Sequence, residues 1–452
     1  MKKILALSHG TIERNSGGVE IYQRLMKQEL QNQVQFYFFG PDLHSKIKNA
    51  YLLYTLDNQL NFEFQRRYVL KNPVQQDHLN HTELEKIIEE ILSEFKFDLA
   101  HVHHLLRLVP SLISLIKSKK IPVMVSIHDY YTICDQYQLL DVNGQFCKVF
   151  DQPTRSCDEC LHQLRHIQHG SQAKRRHFYQ NELQFADVFH FNTEQSKNWF
   201  FQIYPMLQSK LSVVWGAPST TQFNPNFRKN IHEPKDRPIS IIIPNGLSKI
   251  KGADVILEII QSADPKKFNF HIFGKTDRPY SETKIGLKHS NVKFYGSYQQ
   301  SDLQQIAPSM QLSLHLSIWP ETYCISLSEM WDLGIIPIAA KIGALTERIT
   351  HEKTGYLVPP HDAGEVIKIL YHLHQYPEQI QQIRNQLTPD LTVNAAACAQ
   401  RLFETYNGTI TQSVNTGEYS FHHQNIDQSW ILAVKRLSPL EKIKKKWRRI
   451  FN

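Results

Sequence analysis

The sequence predicts an α/β protein with two parallel-sheet, Rossmann-like domains facing a central cleft. Three observations predict it. Short apolar runs alternate with helical patterns from residue 3 to residue 215, as in a parallel sheet with crossover helices. A polar, proline-punctuated stretch over 224–237 (NPNFRKNIHEPKDR) follows, and the same alternation restarts at Pro238. Late in the second series, 317–334 (SIWPETYCISLSEMWDLG) places two carboxylates, Glu321 and Glu329, just beyond an apolar strand. Open α/β sheets collect their ligands at that end of their strands.

With 452 residues and 41% hydrophobic content, the chain can bury two ordinary cores. The net charge of +8 is uneven, because residues 438–452 hold six Lys/Arg against one Glu. The body is close to balance, which argues against a nucleic-acid partner. The apolar part of residues 1–9 is too short for a signal peptide, and no small-residue cleavage site follows it. No run reaches the ~20 apolar residues of a membrane span. A cytoplasmic protein with free thiols is expected.

In chain order, the first element is a buried strand over 3–7. A turn, Glu13-Arg14-Asn15-Ser16-Gly17-Gly18, leads into a helix over 19–30. Gly17 and Gly18 allow a ligand close to the backbone at a helix start; the plainer reading is a simple turn. The pattern is not G-x-G-x-x-G, so a dinucleotide fingerprint is absent. Residues 42–80 are polar and define no element. Thr82-x-x-Glu85 reads as a capping box for a helix over 83–95. In the strand over 99–103 (LAHVH), alternation puts His101 and His103 on one face. A metal pair is conceivable, but no carboxylate or cysteine stands beside them. A strand over 121–127 ends at His128-Asp129.

Cys134, Cys147, Cys157 and Cys160 come next, as C-x12-C-x9-C-x2-C in loop-like surroundings. The C-x2-C spacing suits a thiolate zinc knuckle. Two readings stand: a structural zinc with no open position, or four incidental thiols. A helix over 171–185 carries Lys174, Arg175, Arg176 and His177. Such a run belongs on a solvated face, or against a membrane or an anionic acceptor. A strand over 188–192, a helix opened by Thr193-Glu194 and a last strand over 211–215 complete the first domain, 1–223.

The second domain, 238–407, opens with a strand over 238–243, a turn over 244–252 (PNGLSKIKG) and a helix over 253–262. Lys251, near that helix start, can reach a diphosphate. Strands follow over 268–273, 292–296, 312–316 and 335–339, and a helix over 363–374. Between the last two strands a helix runs over 323–333, stopped by Gly334 in a left-handed cap. Its start, at Tyr323 and Cys324, offers unpaired N–H groups to a phosphate. Glu321 and Glu329 can accept from sugar hydroxyls, although spacing alone fits two solvated glutamates as well. Residues 408–436 are polar. Ser438-Pro439-Leu440-Glu441 then caps a helix, LEKIKKKWRRIFN, composed like an interfacial helix on an anionic bilayer. The plainer readings are a solvated charged terminus or one docked on the first domain.

WPETYCISLSE (319–329), LGIIPIAAKIGALTERI (333–349) and TGYLVPP (354–360) together resemble the donor-binding signature of glycosyltransferase family 4 (group 1), the retaining GT-B glycosyltransferases. The likeness is specific over 292–360 and weaker over most of 1–405. It implies a GT-B fold, a nucleotide-sugar donor on the second domain and a glycan or lipid-linked acceptor on the first. It implies catalytic roles for Glu321 and His128, ribose contacts for Glu329, and a donor site that includes Tyr323 and Cys324. Gly17-Gly18-Val19-Glu20 resembles the family's phosphate-facing G-G-x-E, and Asp98 to His103 its D-x-x-H-x-H, which implies one buried and one cleft-lining histidine. Glu347 resembles the family's turn glutamate, with a structural role equally open, and Lys251-Gly252 its K-G. Gly246 stands where the family has an arginine; Lys249 is the candidate replacement. Some members also carry cysteines after the same H-D strand.

The resemblance further implies same-face substitution without a catalytic cofactor, in which the leaving phosphate takes the acceptor's proton. The absence of D-x-D argues against the metal-diphosphate mechanism of the other major glycosyltransferase fold. The tail suggests a peripheral enzyme on the inner membrane face, in lipid-linked glycan or surface polysaccharide assembly. Two other readings remain: a nucleotide-sugar epimerase, and a non-catalytic partner subunit with weak donor binding.

Overall fold

The first sheet is built from β1 (Lys2–Leu7), β2 (Val34–Pro41), β3 (Ala50–Leu56), β4 (Phe62–Val69), β5 (Leu99–Val102), β6 (Val123–Ile127), β7 (Val188–Phe191) and β8 (Leu211–Val214). Their order is β4-β3-β2-β1-β5-β6-β7-β8. From β2 to β8 the neighbours are parallel, while β3 and β4 join as an antiparallel extension. The second sheet holds β9 (Ile239–Ile243), β10 (Phe268–Phe273), β11 (Val292–Gly296), β12 (Leu312–His315), β13 (Ile336–Ala340) and β14 (Tyr356–Val358). It is parallel throughout, in the order β11-β10-β9-β12-β13-β14. This computed structural model describes residues 1–13, 17–150, 154–223, 225–226, 237–286 and 289–415. Most of the linker expected over 224–237 and all of the tail helix over 438–452 lie outside them.

Each sheet reverses its strand order at its first strand. β1 lies between β2 and β5, and β9 lies between β10 and β12. Chains leave such a strand in opposite directions, which opens a crevice at its carboxyl end. The strands around the reversal are buried on both faces, as crossover helices require.

The first core has two sides. On one, Leu84, Ile88 and Ile91 of the helix Thr82–Glu94 pack with Leu112, Ile113 and Ile116. On the other, Ile4, Ala6, Phe36 and Phe38 meet Tyr22 and Met26, which stand four apart on the helix Gly18–Glu29. This second side is completed from the far end of the chain. Cys398, Leu402 and Tyr406 of the helix Ala395–Asn415 join the same cluster. The boundary expected at residue 407 therefore falls inside a helix that packs on the first domain.

Four further expectations change. Residues 50–69 form β3 and β4, where the polar region 42–80 gave no element. His81, not Thr82, caps the helix: its ring accepts from the Leu84 N–H at 3.3 Å, and Glu85 accepts from the His81 N–H at 3.2 Å. His101 and His103 do share a face, but both are buried and their ring centroids lie 3.7 Å apart. Arg175, placed in a solvated basic run, is buried. It donates to the Thr132 carbonyl at 3.1 Å and to that of Tyr131, and packs over the Tyr179 ring at 4.3 Å. Burying a guanidinium is tolerable because carbonyls and ring faces replace its water.

Candidate active site

The site grows from the carboxyl ends of β9 and β12. β9 ends in a turn whose last residues, Lys249–Lys251, form one 3-10 turn, and Gly252 is left-handed at φ 78°. The Ile318 N–H donates to the Ile250 carbonyl at 3.0 Å, tying this turn to the loop after β12. Lys251 and Glu321 meet there, Nζ to Oε1, at 2.8 Å. Ser317 donates its hydroxyl to the same carboxylate oxygen. Burial works to raise the Glu321 carboxyl, but the Lys251 charge and hydrogen bond outweigh it and hold it below the usual range. Burial likewise works to lower the Lys251 ammonium, and Glu321 outweighs that and raises it. Both groups are thus kept ionised. Lys249 is exposed on the turn.

Gly246 explains the missing arginine. Its φ is 69°, and a Cβ there would stand 1.8 Å from the Lys275 carbonyl oxygen. No side chain fits, so the cation of the family pattern has no room at this position.

The helix Ile325–Asp332 begins at Cys324, which is left-handed at φ 71°. The thiol is buried and pushed up to about 12 by that burial, with Glu321 adding to the effect. Arg348 holds this unusual start. It donates to the Tyr323 carbonyl at 2.8 Å, to the Cys324 carbonyl at 2.9 Å and to Ser328 Oγ at 2.7 Å. Glu329, further along, is buried and accepts from Thr220 Oγ1 at 2.5 Å. Burial raises its carboxyl, with the Thr220 hydrogen bond opposing. Tyr298 lies near Glu329 and Cys324, and its phenol is raised by burial and then by those two groups.

The first domain closes on this corner. A Cβ on Gly18 would lie 3.7 Å from Ile325 Cδ1, so the glycine turn abuts the start of the helix Ile325–Asp332. Gly17 precedes the helix Gly18–Glu29, whose Glu20 is buried 3.4 Å from His9 Nε2. Thr322, next to Glu321, donates to the His128 carbonyl at 2.6 Å. The His128 ring pairs through Nε2 with His103 Nδ1 at 3.2 Å. Burial, and then the neighbouring histidines, holds it well below the usual imidazole range, so it is neutral. Glu321, Lys251, His128 and Gly18 therefore border one corner. Glu329 lies on the adjoining helix and reaches the crossing segment through Thr220.

Three expected donor contacts are occupied otherwise. The Tyr323 ring joins the first domain's apolar cluster beside Trp215 and Ala217, with Arg348 stacked 3.7 Å from its centroid. A Cβ on Gly216 would meet that ring at 2.3 Å. Tyr323 thus ties the domains together instead of facing a ligand. Cys324 supplies backbone geometry, and its thiol lies 3.4 Å from Ser326 Oγ. Glu347 accepts from the N–H groups of Glu194 and Gln195 at 3.1 and 2.8 Å, capping the helix Glu194–Ile203 across the cleft.

The four cysteines Cys134, Cys147, Cys157 and Cys160 do line one cavity, of about 230 Å³. Cys134, Cys157 and Cys160 are free thiols. Burial pushes Cys134 and Cys147 up to about 12. Among the described residues no three His, Cys, Asp or Glu side chains are gathered closely enough to hold a metal ion. The expected zinc therefore has no ready-made cage. Asp158, accepting from Gly170 and Gln172 N–H groups, and the Arg165–Asp135 pair at 2.9 Å staple this insertion instead.

Arg348, Thr220 and Thr322 were not singled out in the sequence. Arg348 lies inside the quoted ALTERI motif, and Thr220 lies in a hydroxyl-rich run, Ser219-Thr220-Thr221.

Comparison with known proteins settles the family. The model described as glycosyl transferases group 1 matches residues 223–386, and that of glycosyltransferase family 4 matches 16–217. The chain belongs to the group 1 glycosyltransferases. Similar solved structures are GT-B enzymes. A sucrose-phosphate synthase from Thermosynechococcus elongatus has a TM-score of 0.63 at 15% identity, covering 91% of this chain and all of that one. Anabaena HepE in complex with UDP has a TM-score of 0.57 at 15% identity, covering 92% of this chain and all of that one. At these identities the likeness establishes the fold. An uncharacterized 41.2 kDa protein in the cps region of Klebsiella pneumoniae is 27% identical over 182 residues, 39% of this glycosyltransferase. The chain spans about half the length of that curated relative. Among the described residues no helix is long and apolar enough to cross a membrane.

Proposed function

We propose that this glycosyltransferase moves a sugar, with retention, from a nucleotide-sugar donor to a glycan or lipid-linked acceptor in cell-surface polysaccharide assembly. The observation that carries the reading is the pair of half-buried Lys251 and buried Glu321, placed where the helix start at Ile325 meets the Gly17-Gly18 turn. Negative charge grows on the leaving diphosphate as its bond to the anomeric carbon breaks. Lys251, the exposed Lys249 and the two facing helix starts stabilise that charge. Glu321 holds sugar hydroxyls and orients the anomeric carbon. Glu329 exchanges Thr220 for ribose hydroxyls. Neutral His128 hydrogen-bonds the sugar without adding charge to the first domain's wall. The acceptor oxygen bonds on the face the phosphate leaves, and its proton passes to the leaving phosphate oxygen.

Two relatives support the substrate class. HepE structures contain UDP, UDP with glucose, and UDP-glucose. The Klebsiella relative comes from a cps region. Membrane contact through residues 438–452 belongs to the same proposal and rests on their composition.

The test is a thermal-shift screen of UDP-, GDP-, ADP- and dTDP-sugars, followed by transfer with the best donor and NMR of the product's anomeric configuration. Stabilisation by one donor class, a product that keeps the donor configuration, and loss of transfer in Glu321→Gln are expected. An inverted product removes retention, and an epimerised donor favours the epimerase. A folded protein that no donor stabilises favours a partner subunit, as the side-chain-free Gly246 would suggest. Binding to anionic liposomes that survives deletion of 438–452 removes the membrane role.

A further inference from the structure

A chain of buried hydrogen bonds runs beneath His128, from the last helix through the first sheet. Tyr406 OH lies 2.7 Å from His101 Nδ1, and His101 Nε2 lies 2.7 Å from Ser126 Oγ. Ser126 Oγ lies 2.9 Å from His190 Nδ1, and His190 Nε2 lies 3.1 Å from the Trp215 carbonyl. All five residues are buried. A carbonyl only accepts, so its end of the chain fixes every proton. His190 carries its hydrogen on Nε2, Ser126 donates to His190, His101 carries its hydrogen on Nε2, and Tyr406 donates to His101. No donor along the line is left over.

The chain touches the site at two rings, His190 standing edge-on to His128 with centroids 6.2 Å apart and His101 tilted against His103. The His101 ring lies on His103 with centroids 3.7 Å apart, and His103 Nδ1 pairs with His128 Nε2 at 3.2 Å. Its other end belongs to a helix that leaves the second domain at the donor corner. Just before that helix, Thr392 donates to Asp332 Oδ1 at 2.8 Å, and Asp332 sits on the helix that bears Glu329. One continuous segment thus links the donor helix to the floor under His128.

We propose that Tyr406 is a positioning residue, which through His101 and Ser126 fixes the tautomer and seat of the His103–His128 pair and registers it against the donor helix. The consequence for transfer rests on the sugar-facing reading of His128. The relay itself does not, because the tautomers can be read without any sugar.

The test uses the full chain labelled with 15N-histidine, two-bond 1H–15N correlation spectra, and assignment by single His→Gln variants. His101 and His190 should each show one tautomer, protonated at Nε2. Tyr406→Phe keeps the ring and removes the donor. Ser126→Ala breaks the same line from the sheet side and serves if the first variant does not fold. Either should shift the His128 ring nitrogens. Leu402→Ala loosens the same helix from the same apolar cluster without touching the relay, and should lower the melting temperature while leaving those nitrogens in place. Unchanged His128 signals in Tyr406→Phe or Ser126→Ala overturn the proposal. So does an equal shift in Leu402→Ala, or an Nδ1-protonated His190.

Discussion

The two walls of the cleft are built from opposite chemistry. The first domain contributes imidazoles, and His9, His101, His103, His128 and His190 are all held uncharged, chiefly by burial. The second domain contributes a full ion pair, Lys251–Glu321, and a second carboxylate, Glu329, which burial pushes the other way. The difference teaches where charge is wanted. In the proposed transfer a leaving diphosphate needs a fixed cation nearby, and Lys251, proposed for that role, has Glu321 as its counterion. The neutral histidines of the opposite wall can bind hydroxyls without adding charge, although Asp129 keeps a carboxylate there beside His104.

The comparison breaks most readily at its charged side. In Lys251→Met, Glu321 keeps its burial and loses its cation. Stability should fall by about 2–3 kcal/mol, less than for a fully buried pair because Lys251 keeps some exposure. Transfer should fall on the order of 100-fold or more. Urea unfolding and turnover would be measured together; a variant as stable as the parent would mean the pair does not organise this wall.

Acid attacks the neutral side. Ordinary imidazoles, with values near 6.5, take up protons in the unfolded chain before the folded ones do, since His9 is lowered to about 3 and His190 to about 4. Stability is therefore complete above pH 6.5 and lost below it, with a limiting slope of roughly 1.4 kcal/mol per pH unit for each such group. The second domain has such histidines too, His271 and His315, both lowered to about 4. They are fewer, so hydrogen exchange at pH 5 should show β5, β6 and β7 opening before β9 and β12. The reverse order would reverse the contrast.

Restoring the family arginine should hurt. Gly246→Arg forces a side chain onto a left-handed residue and into the Lys275 carbonyl, costing about 1–3 kcal/mol without tightening nucleotide binding. Tighter binding in calorimetry would show that the turn can rearrange. The smallest effect belongs to Glu329→Gln. The folded carboxyl is raised, so its contribution to stability declines as pH rises from the unfolded value through the folded one. At pH 7 the amide should be neutral or stabilising by up to about 1 kcal/mol, while nucleotide binding weakens. A large loss of stability would make Glu329 a partner of Thr220 first and a ligand contact second.

Much of this arrangement was readable in the sequence where local rules act alone. The helix Ala253–Ser262 and the strands Phe268–Phe273 and Val292–Gly296 lie where their apolar runs put them. The left-handed stop at Gly334 is present, at φ 71°. β4 was hidden because its Glu63, Gln65 and Arg66 dilute an edge strand's pattern, and β3 because its apolar run sits among polar neighbours. Tertiary partners were invisible. Arg175 and Lys174 look alike in the chain; only the fold puts tyrosine rings and carbonyls around one of them. Glu321 and His128 follow the carboxyl ends of β12 and β6, where the apolar runs before them put them. The turn of Tyr323 into the first domain and the capping by Glu347 depend on the opposite half of the molecule, which local patterns do not encode.

The helix Ala395–Asn415 is covalently an appendage of one half and structurally a wall of the other. A fragment ending at residue 223 would lack that covering over Ile4, Ala6 and Tyr22 and should aggregate when expressed alone. Grafting a donor half from a related enzyme at the linker would bring in a foreign helix against this native surface. A working chimera must keep residues 395–415 of the parent that supplies the first half, so recombination in this enzyme needs two crossovers.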